Sequence, residues 1–312
     1  MNSICLIGKK VKREGGGGLK GGAKGDIMLS RLLKRKRCFC RFWVVLEIDM
    51  EILYTLVTGA TGGLGGAFVK ELARRSQPLY LTGRKKERLA ELREQLLHSH
   101  PALPVRTAVC DLADVGSRRA LFATFARENV RFCRLVYAAG ADIQKPLEEY
   151  TEEKIAFQAR ANFEGAVSLS RAVLERSEGV PELLFVGSVS GLYPMPYFAL
   201  YSAAKKALWQ FAAALRTELH GRAKVTCVQP GAIPTREDVK ENIRSQGLWG
   251  KLAALPPDVV TRKSLNAVRK NRRSPVLGFW NKLMHASTAL LPLSWKMHFI
   301  AKKWSKTRKD AF

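Results

Sequence analysis

Two Tyr-x-x-x-Lys pairs occur in this sequence, Tyr150/Lys154 and Tyr201/Lys205. On a helix this spacing places both side chains on one face, a turn apart, where the ammonium group favours the ionised form of the phenol. Lowering the pKa of a phenol from about 10 to near neutrality requires roughly 4 kcal/mol of such stabilisation. Each pair is therefore a candidate centre for general acid–base chemistry.

The sequence context of the two pairs differs. Tyr201 lies in a long helical pattern, and Ser188, thirteen residues earlier, ends an apolar strand-like run. Open α/β sheets bind ligands at the carboxyl ends of their strands. Tyr150 has a tyrosine thirteen residues earlier, and two glutamates lie between it and its lysine. We therefore expect Tyr201, Lys205 and Ser188 to act together, and Tyr150 to begin a solvated helix.

The elements that would position this site begin at residue 51. A short apolar run at 51–57 leads into a glycine cluster at 58–65, and a helical pattern follows at 67–75. Residues without Cβ let the backbone approach a pyrophosphate, and the helix N-terminus presents free N–H groups to it. Strand, glycine turn and helix thus predict a dinucleotide-binding opening.

The pattern of strand and helix continues along the chain. Further strand-like runs lie at 78–82, 104–110, 133–138, 182–188, 224–229 and 275–279. Helical patterns separate them near 86–98, 114–128, 152–176, 199–219 and 257–270. We predict an α/β fold with a Rossmann-like, doubly wound parallel sheet of about seven strands, forming a single domain over residues 51–280.

The end of the second predicted strand indicates which dinucleotide is bound. Residues 79–86 contain no Asp or Glu that could hold the ribose 2′-hydroxyl of NAD, and Arg84 suits a 2′-phosphate, so we predict NADP(H). Capping of the next helix is the alternative role for Arg84. Asp111 is expected near the adenine or, alternatively, at the next helix start.

The chain resembles the short-chain dehydrogenase/reductase superfamily, in its simple single-domain form, over about 230 residues. The glycine loop, the segment 138–140, the Ser188/Tyr201/Lys205 set and the Pro-Gly turn at 230–235 carry the resemblance, which implies that Asn162 completes a catalytic tetrad. The glycine spacing also fits the larger epimerase/dehydratase branch, but the Pro-Gly turn favours the simple oxidoreductases. The implied cofactor-binding residues are Thr58, Gly59, Thr61, Gly62, Gly63, Leu64, Gly65, Arg84, Asp111, Ala139, Gly140, Tyr201, Lys205, Pro230, Gly231, Ile233 and Thr235.

This resemblance implies hydride transfer between NADPH and a carbonyl or secondary alcohol. Tyr201 would exchange the proton, and Ser188 would hydrogen-bond the substrate oxygen. Lys205 would lower the pKa of Tyr201 and hold the nicotinamide ribose, and Asn162 would position a water. Tyr137 stands where the family usually has asparagine, which leaves open how that strand is stabilised. The alternatives are a 3-oxoacyl-thioester reductase of fatty-acid synthesis and a non-catalytic NADP-binding regulatory protein.

The residues between Ser188 and Tyr201 bear on the substrate. Seven apolar or aromatic residues at 192–198 form a wall suited to a hydrophobic or acyl-chain substrate, or a packed loop. The members are Leu192, Tyr193, Pro194, Met195, Pro196, Tyr197 and Phe198.

The net charge of +26 is concentrated at the two ends, with +8 in residues 1–50 and +12 in 251–312. With 46% hydrophobic residues the chain is not a disordered polybasic protein, and no recognised nucleic-acid-binding module occurs.

Residues 1–50 form a basic, glycine-rich leader, for which we favour a true start at Met50 over an interaction arm. We expect a homodimer or a homotetramer.

Residues 281–312 predict a basic amphipathic helical tail. Leu293, Met297, Ile300 and Trp304 share one helical face, which is expected to lie on a membrane surface or, alternatively, to cover the substrate pocket or a subunit partner. Six sparse cysteines indicate no disulfide framework and a reducing cytoplasm, and the Cys38/Cys40 pair lacks the further ligands of a metal site. The resemblance, which includes lipid-metabolising members with such tails, implies peripheral membrane association, so we expect a cytoplasmic, peripherally membrane-associated enzyme of lipid metabolism without a metal.

Overall fold

A parallel sheet lies at the centre of the part of the chain that this computed structural model describes, residues 51–245 and 247–305. Its strands are β1 (Leu53–Thr58), β2 (Leu79–Gly83), β3 (Val105–Val109), β4 (Arg131–Tyr137), β5 (Ser177–Val186) and β6 (Lys224–Val228). They lie in the order β3-β2-β1-β4-β5-β6, and every neighbouring pair is parallel. The predicted Rossmann-like, doubly wound α/β fold is confirmed.

Helices connect the strands and continue beyond β6. They are α1 (Gly63–Arg74), α2 (Lys86–Ser99), α3 (Val115–Arg127), α4 (Glu152–Ala159), α5 (Gly165–Glu175), α6 (Ala199–Glu218), α7 (Glu237–Ser245), α8 (Gly247–Ala253), α9 (Pro257–Arg269), α10 (Phe279–Ala289) and α11 (Leu293–Trp304). A π-helical turn, Arg160–Glu164, joins α4 to α5, so the continuous helix predicted at 152–176 is divided at its middle.

The two faces of the sheet are covered by different apolar clusters, because successive side chains of a strand point to opposite faces. On β1, Leu56 packs in a cluster with Phe125 of α3 and Leu208 of α6. Its neighbour Val57 packs in a second cluster with Phe68 of α1. Strand β1 is therefore buried on both sides, and the carboxyl ends of the strands form the edge where ligands can approach.

The seventh predicted strand, at 275–279, is wrong, and the sheet formed by the described residues has six strands. The segment makes only a single bridge, between Val276 and Gln229, the residue that follows β6. Pro275 has no N–H group with which to extend the pairing. Gly278, at φ 91°, then turns the chain directly into α10.

Several predictions about the ends lie outside the described residues. These are the leader at 1–50 with Cys5, Cys38 and Cys40, and the last seven residues of the tail. Within the described ranges, no helix has both the length and the apolar character needed to cross a bilayer. In the same ranges no group of three or more His, Cys, Asp or Glu side chains is placed to hold a metal ion.

Candidate active site

One cleft at the carboxyl edge of the sheet is lined by all four residues of the expected tetrad. Ser188 follows β5, Tyr201 and Lys205 lie on the first turns of α6, and Asn162 lies in the π-helical turn. The cleft has a volume of about 450 Å³. We call it the tyrosine cleft. Tyr150 is not among its lining residues: its hydroxyl donates to the Ile143 carbonyl at 2.8 Å.

Hydrogen bonds hold both the backbone and the side chain of Ser188. Its N–H donates to Oε1 of the buried Gln229 at 2.9 Å, and its Oγ accepts the Ser190 N–H at 3.1 Å. The Ser188 hydroxyl also acts to lower the pKa of Tyr201, which places the two hydroxyls near each other. The Ser188 and Tyr201 hydroxyls can therefore meet one substrate oxygen. The sequence reading missed Gln229, which lies 41 residues further along the chain.

The ionisation of Tyr201 differs from the expectation that Lys205 would lower its pKa. Burial raises the pKa of Tyr201 above its ordinary value, and the charge of Asp142 raises it further, against smaller lowering effects of Ser188 and Arg236. The Lys205 ammonium lies 5.6 Å from the centre of the Tyr201 ring and donates to the Val186 carbonyl at 2.9 Å. In this geometry the Tyr201 hydroxyl is held in its protonated form, the form that can donate a proton.

Lys205 is itself perturbed by its surroundings. Its side chain is buried, and this burial lowers its pKa to about 8 from an ordinary value of 10.5. Cys227 and Asp142 act in the opposite direction. A lysine that titrates close to neutral pH can accept or release a proton in the tyrosine cleft.

Asn162 presents an unused acceptor to the cleft. Its Nδ2 donates to the carbonyls of Ala141 and Gln158, both at 2.8 Å. Its Oδ1 is buried and has no hydrogen-bond partner among the described residues. A Cβ built on Gly140 would lie 2.6 Å from this oxygen, so the glycine leaves open the space in front of it. The arrangement can hold a water or a ligand hydroxyl.

Tyr137, which stands where the family usually has asparagine, stabilises the end of β4 through its own hydroxyl. The Tyr137 hydroxyl donates to the Ala161 carbonyl at 2.7 Å, and so links β4 to the π-helical turn. The N–H groups of Ala138 and Ala139 donate to Thr58 Oγ1, both at 3.1 Å. Thr58, expected to touch the cofactor, is buried and lines neither cleft described here, so it ties β1 to β4 instead.

A second cleft adjoins the tyrosine cleft along the glycine loop, and we call it the glycine cleft. It is lined by the predicted residues Gly59, Thr61, Gly62, Gly63, Leu64, Gly65, Arg84, Asp111, Ala139, Gly140 and Thr235. Gly59 has φ +62°, and a Cβ on Gly65 would come within 2.0 Å of the Gly59 carbonyl oxygen. This loop can be formed only with glycine at both positions, and it leaves the backbone bare for a dinucleotide.

The far end of the glycine cleft is basic. Arg84 stacks over the Phe157 ring at 5.0 Å and lies beside Lys85 and Arg88 in the cleft lining. Lys85 and Arg88 were missed, although the four basic residues within 84–88 are the signal that could have found them. Asp111 lines the cleft, and its Oδ1 accepts the Ala113 N–H at 2.9 Å. The alternative role at the next helix start is wrong, because Asp114 caps α3 by accepting the Ser117 N–H.

The Pro-Gly turn after β6 closes the tyrosine cleft from the other side. Pro230, Gly231 and Ile233 line it, as Thr235 does where the two clefts join. Arg236 then pairs with Asp142 at 2.9 and 3.1 Å. This ion pair, between residues 94 positions apart, has no local sequence signal.

Aromatic and aliphatic side chains complete the tyrosine cleft. Of the seven residues expected as a wall, Tyr193, Met195 and Phe198 line it and the other four do not. The C-terminal helices contribute Met284, Phe299, Ile300 and Trp304. The covering of the pocket, one of the alternatives for the tail, is therefore present in the structure.

Comparisons with known proteins agree with this geometry. A protein-family model described as short chain dehydrogenase matches residues 54–246. The chain is 31% identical to the NADP-dependent 3-hydroxy acid dehydrogenase YdfG of Escherichia coli over 205 residues, covering 64% of this chain and 79% of that protein. It is 31% identical to the 3-ketodihydrosphingosine reductase of Bacteroides thetaiotaomicron over 198 residues, covering 62% and 69%.

The solved structures show the same fold. A short-chain dehydrogenase from Sphingobium yanoikuyae in complex with NADPH superposes with a TM-score of 0.63 at 24% identity, covering 77% of this chain and 95% of that one. Most of this chain thus matches one family model. The same chain has the sheet order, the glycine loop and a Ser, a Tyr and a Lys that meet in one cleft. The chain belongs to the short-chain dehydrogenase family.

Proposed function

We propose that this protein is an NADP(H)-dependent oxidoreductase that interconverts a carbonyl and a secondary alcohol. The observation that carries the proposal is the meeting of Asn162, Ser188, Tyr201 and Lys205 in one cleft that opens onto the glycine cleft. The NADP dependence of the related YdfG supports the choice of cofactor. A purely regulatory NADP-binding protein would not need all four side chains.

The residues of the glycine cleft fit NADP(H). The bare loop at Gly59 and Gly65 would hold the pyrophosphate, and Arg84, with its basic neighbours, would hold the 2′-phosphate. Lys205 and the unpartnered Oδ1 of Asn162 lie where the two clefts join, beside Gly140, and would face the nicotinamide end. When bound, this cofactor supplies or accepts the hydride.

In the reducing direction, Tyr201 acts as the general acid. Its buried, protonated hydroxyl donates the proton to the carbonyl oxygen as the carbonyl carbon receives the hydride, so one C–H and one O–H bond form and the C=O π bond is lost. Ser188 donates a hydrogen bond to the same oxygen. The phenolate left on Tyr201 is reprotonated through Lys205 and a water held at Asn162. Alcohol oxidation reverses these steps.

We further propose that the substrate is hydrophobic. Phe198, Met195 and Tyr193 form one wall of the tyrosine cleft, and Phe299 and Trp304 form another. Such a lining favours an alkyl or acyl chain beside the carbonyl. The proposal places the enzyme in lipid metabolism. A reductase of 3-oxoacyl thioesters would use the same wall and is an outcome of the substrate test.

The test is NADPH oxidation by the full chain, followed by absorbance, against ketones of graded chain length and a 3-oxoacyl thioester. We expect turnover that increases with chain length and is lost, by a factor of about 10² or more, in Tyr201→Phe. NADPH binding by fluorescence should survive in that variant. Binding without turnover of any carbonyl by the wild type would support the regulatory alternative instead.

We also propose a cytoplasmic location with peripheral contact at a membrane surface through the C-terminal residues. The support is the exposure of large apolar side chains on α10 and α11, such as Leu290 at 91% and Trp295 at 60%. Assembly into a homodimer or homotetramer stays a prediction.

A further inference from the structure

Helices α10 and α11 present an outer face that is both apolar and basic. The exposed fractions of Phe279, Leu283, Leu293 and Phe299 are 70%, 48%, 52% and 64%. Large apolar side chains are seldom clustered on the surface of a monomer unless the surface binds something. We call the exposed apolar and basic side chains of residues 279–305 the helical face.

The charge on this face has one sign. Residues 279–305 contain four lysines and no Asp or Glu. Lys282 and Lys302 are exposed, each within a few positions of the exposed apolar side chains. Apolar side chains interleaved with cations complement a surface that combines acyl chains with anionic headgroups.

The same two helices also form the mouth of the tyrosine cleft. Phe299 and Met284 line the cleft, yet their exposed fractions are 64% and 37%. These two side chains therefore belong to both the cleft and the helical face. Deeper in, the Phe198 ring stacks on Trp304 at 5.9 Å and on Tyr201 at 4.3 Å. Apolar side chains thus line the cleft both at the helical face and beside the Tyr201 ring.

We propose that the helical face docks on an anionic lipid bilayer and that the hydrophobic carbonyl substrate enters the tyrosine cleft directly from that bilayer, past Phe299 and Met284. This inference rests on the proposed function and adds the source of the substrate to it. An entry that opens within the docking surface spares an apolar substrate the transfer through water.

The experiment compares two ketones with the full chain, a short water-soluble one and a long-chain one embedded in vesicles of phosphatidylcholine with phosphatidylserine. The test variant is Trp295→Ser with Lys282→Glu, because neither side chain lines the tyrosine cleft. We expect kcat/KM for the embedded ketone to fall at least about tenfold, with activity on the soluble ketone unchanged. Omitting phosphatidylserine should lower wild-type activity on the embedded ketone similarly.

The matched control is Val180→Ser with Lys270→Glu. It removes one exposed apolar side chain and reverses one exposed lysine outside both clefts. It should behave as the wild type with both ketones. An equal loss in the control would overturn the assignment of docking to the helical face.

Two further results would overturn the proposal. One is equal activity of wild type and test variant on the embedded ketone. The other is a wild type that light scattering shows to be a dimer, together with a test variant that is a monomer and keeps its activity on the embedded ketone. In that case a second copy of the chain, and not a bilayer, would cover the helical face. If neither ketone is reduced, the proposed function fails, and vesicle co-sedimentation decides the docking separately: equal sedimentation of wild type and test variant would overturn it.

Discussion

The hydroxyl of Tyr137 donates a 2.7 Å hydrogen bond to the carbonyl of Ala161, the residue that precedes Asn162. This bond joins the end of β4 to the π-helical turn in which Asn162 lies. A Cβ on Gly165 would come within 2.7 Å of the Tyr137 hydroxyl oxygen, so the glycine provides the room for it. The fully buried tyrosine thus positions Asn162 without lining the tyrosine cleft.

Removing this hydroxyl should affect both stability and turnover. Tyr137→Phe leaves a buried carbonyl without its donor, so we expect the free energy of unfolding to fall by about 1 kcal/mol in urea titration. We expect kcat to fall by up to about tenfold, with KM for NADPH unchanged, because Asn162 is held less closely. Tyr54→Phe, which alters another buried tyrosine, is the control. An unchanged kcat in Tyr137→Phe would show that the bond serves stability alone.

Lys205 predicts a specific pH dependence of stability. Burial lowers its pKa to about 8, below the 10.5 of the unfolded chain. Between these values the unfolded state binds more protons at this residue, so its contribution to stability rises with pH. The difference in unfolding free energy, wild type minus Lys205→Met, should therefore increase by about 3 kcal/mol from pH 8 to pH 10.5.

The control for this titration is Lys70→Met, which replaces an exposed lysine of α1. It removes a lysine from the surface rather than from the interior, so a change of the same size in this variant would show that the effect does not arise at Lys205. A difference for Lys205→Met that stays flat would mean that the Lys205 ammonium is stabilised in the folded protein.

Arg84 should decide between the two nicotinamide cofactors. Arg84→Ala removes the guanidinium stacked on Phe157 at the basic end of the glycine cleft. A charged hydrogen bond contributes about 1.5–3 kcal/mol, so KM for NADPH should rise by about 10-fold to 100-fold while KM for NADH changes little. The control is Lys86→Ala, which removes a nearby basic residue that does not line the cleft. Equal changes for both cofactors would place Arg84 away from the 2′-phosphate.

Trp304 should contribute to binding of hydrophobic substrates. Its ring stacks on Phe198, which in turn stacks on Tyr201. Trp304→Ala removes an aromatic pair of about 0.5–1.5 kcal/mol and part of the cleft wall, so KM for a soluble hydrophobic ketone should rise severalfold. Trp280→Ala, on α10 and outside the cleft lining, should leave KM unchanged. A KM that is unaffected by Trp304→Ala would remove α11 from the substrate site.

The sequence alone was sufficient for most of the fold. Apolar runs and glycine turns are local patterns, and all six strands lie within a few residues of their predicted positions. The seventh failed because pairing at the edge of the sheet depends on N–H groups facing a neighbour, and Pro275 offers none. The π-helical turn was missed because the hydrophobic pattern of residues 152–176 continues through it.

The residues of the site also divide into those that local sequence patterns predict and those that only tertiary packing brings together. A four-residue spacing on a helix determines that Tyr201 and Lys205 share a face, and a strand end determines that Ser188 reaches the same edge. Only the tertiary structure decided that Asp142 meets Arg236, that Gln229 holds Ser188, and that Trp304 stacks at the cleft. These partners are far apart in the chain, so their contacts depend on how whole elements pack, which no local spacing encodes.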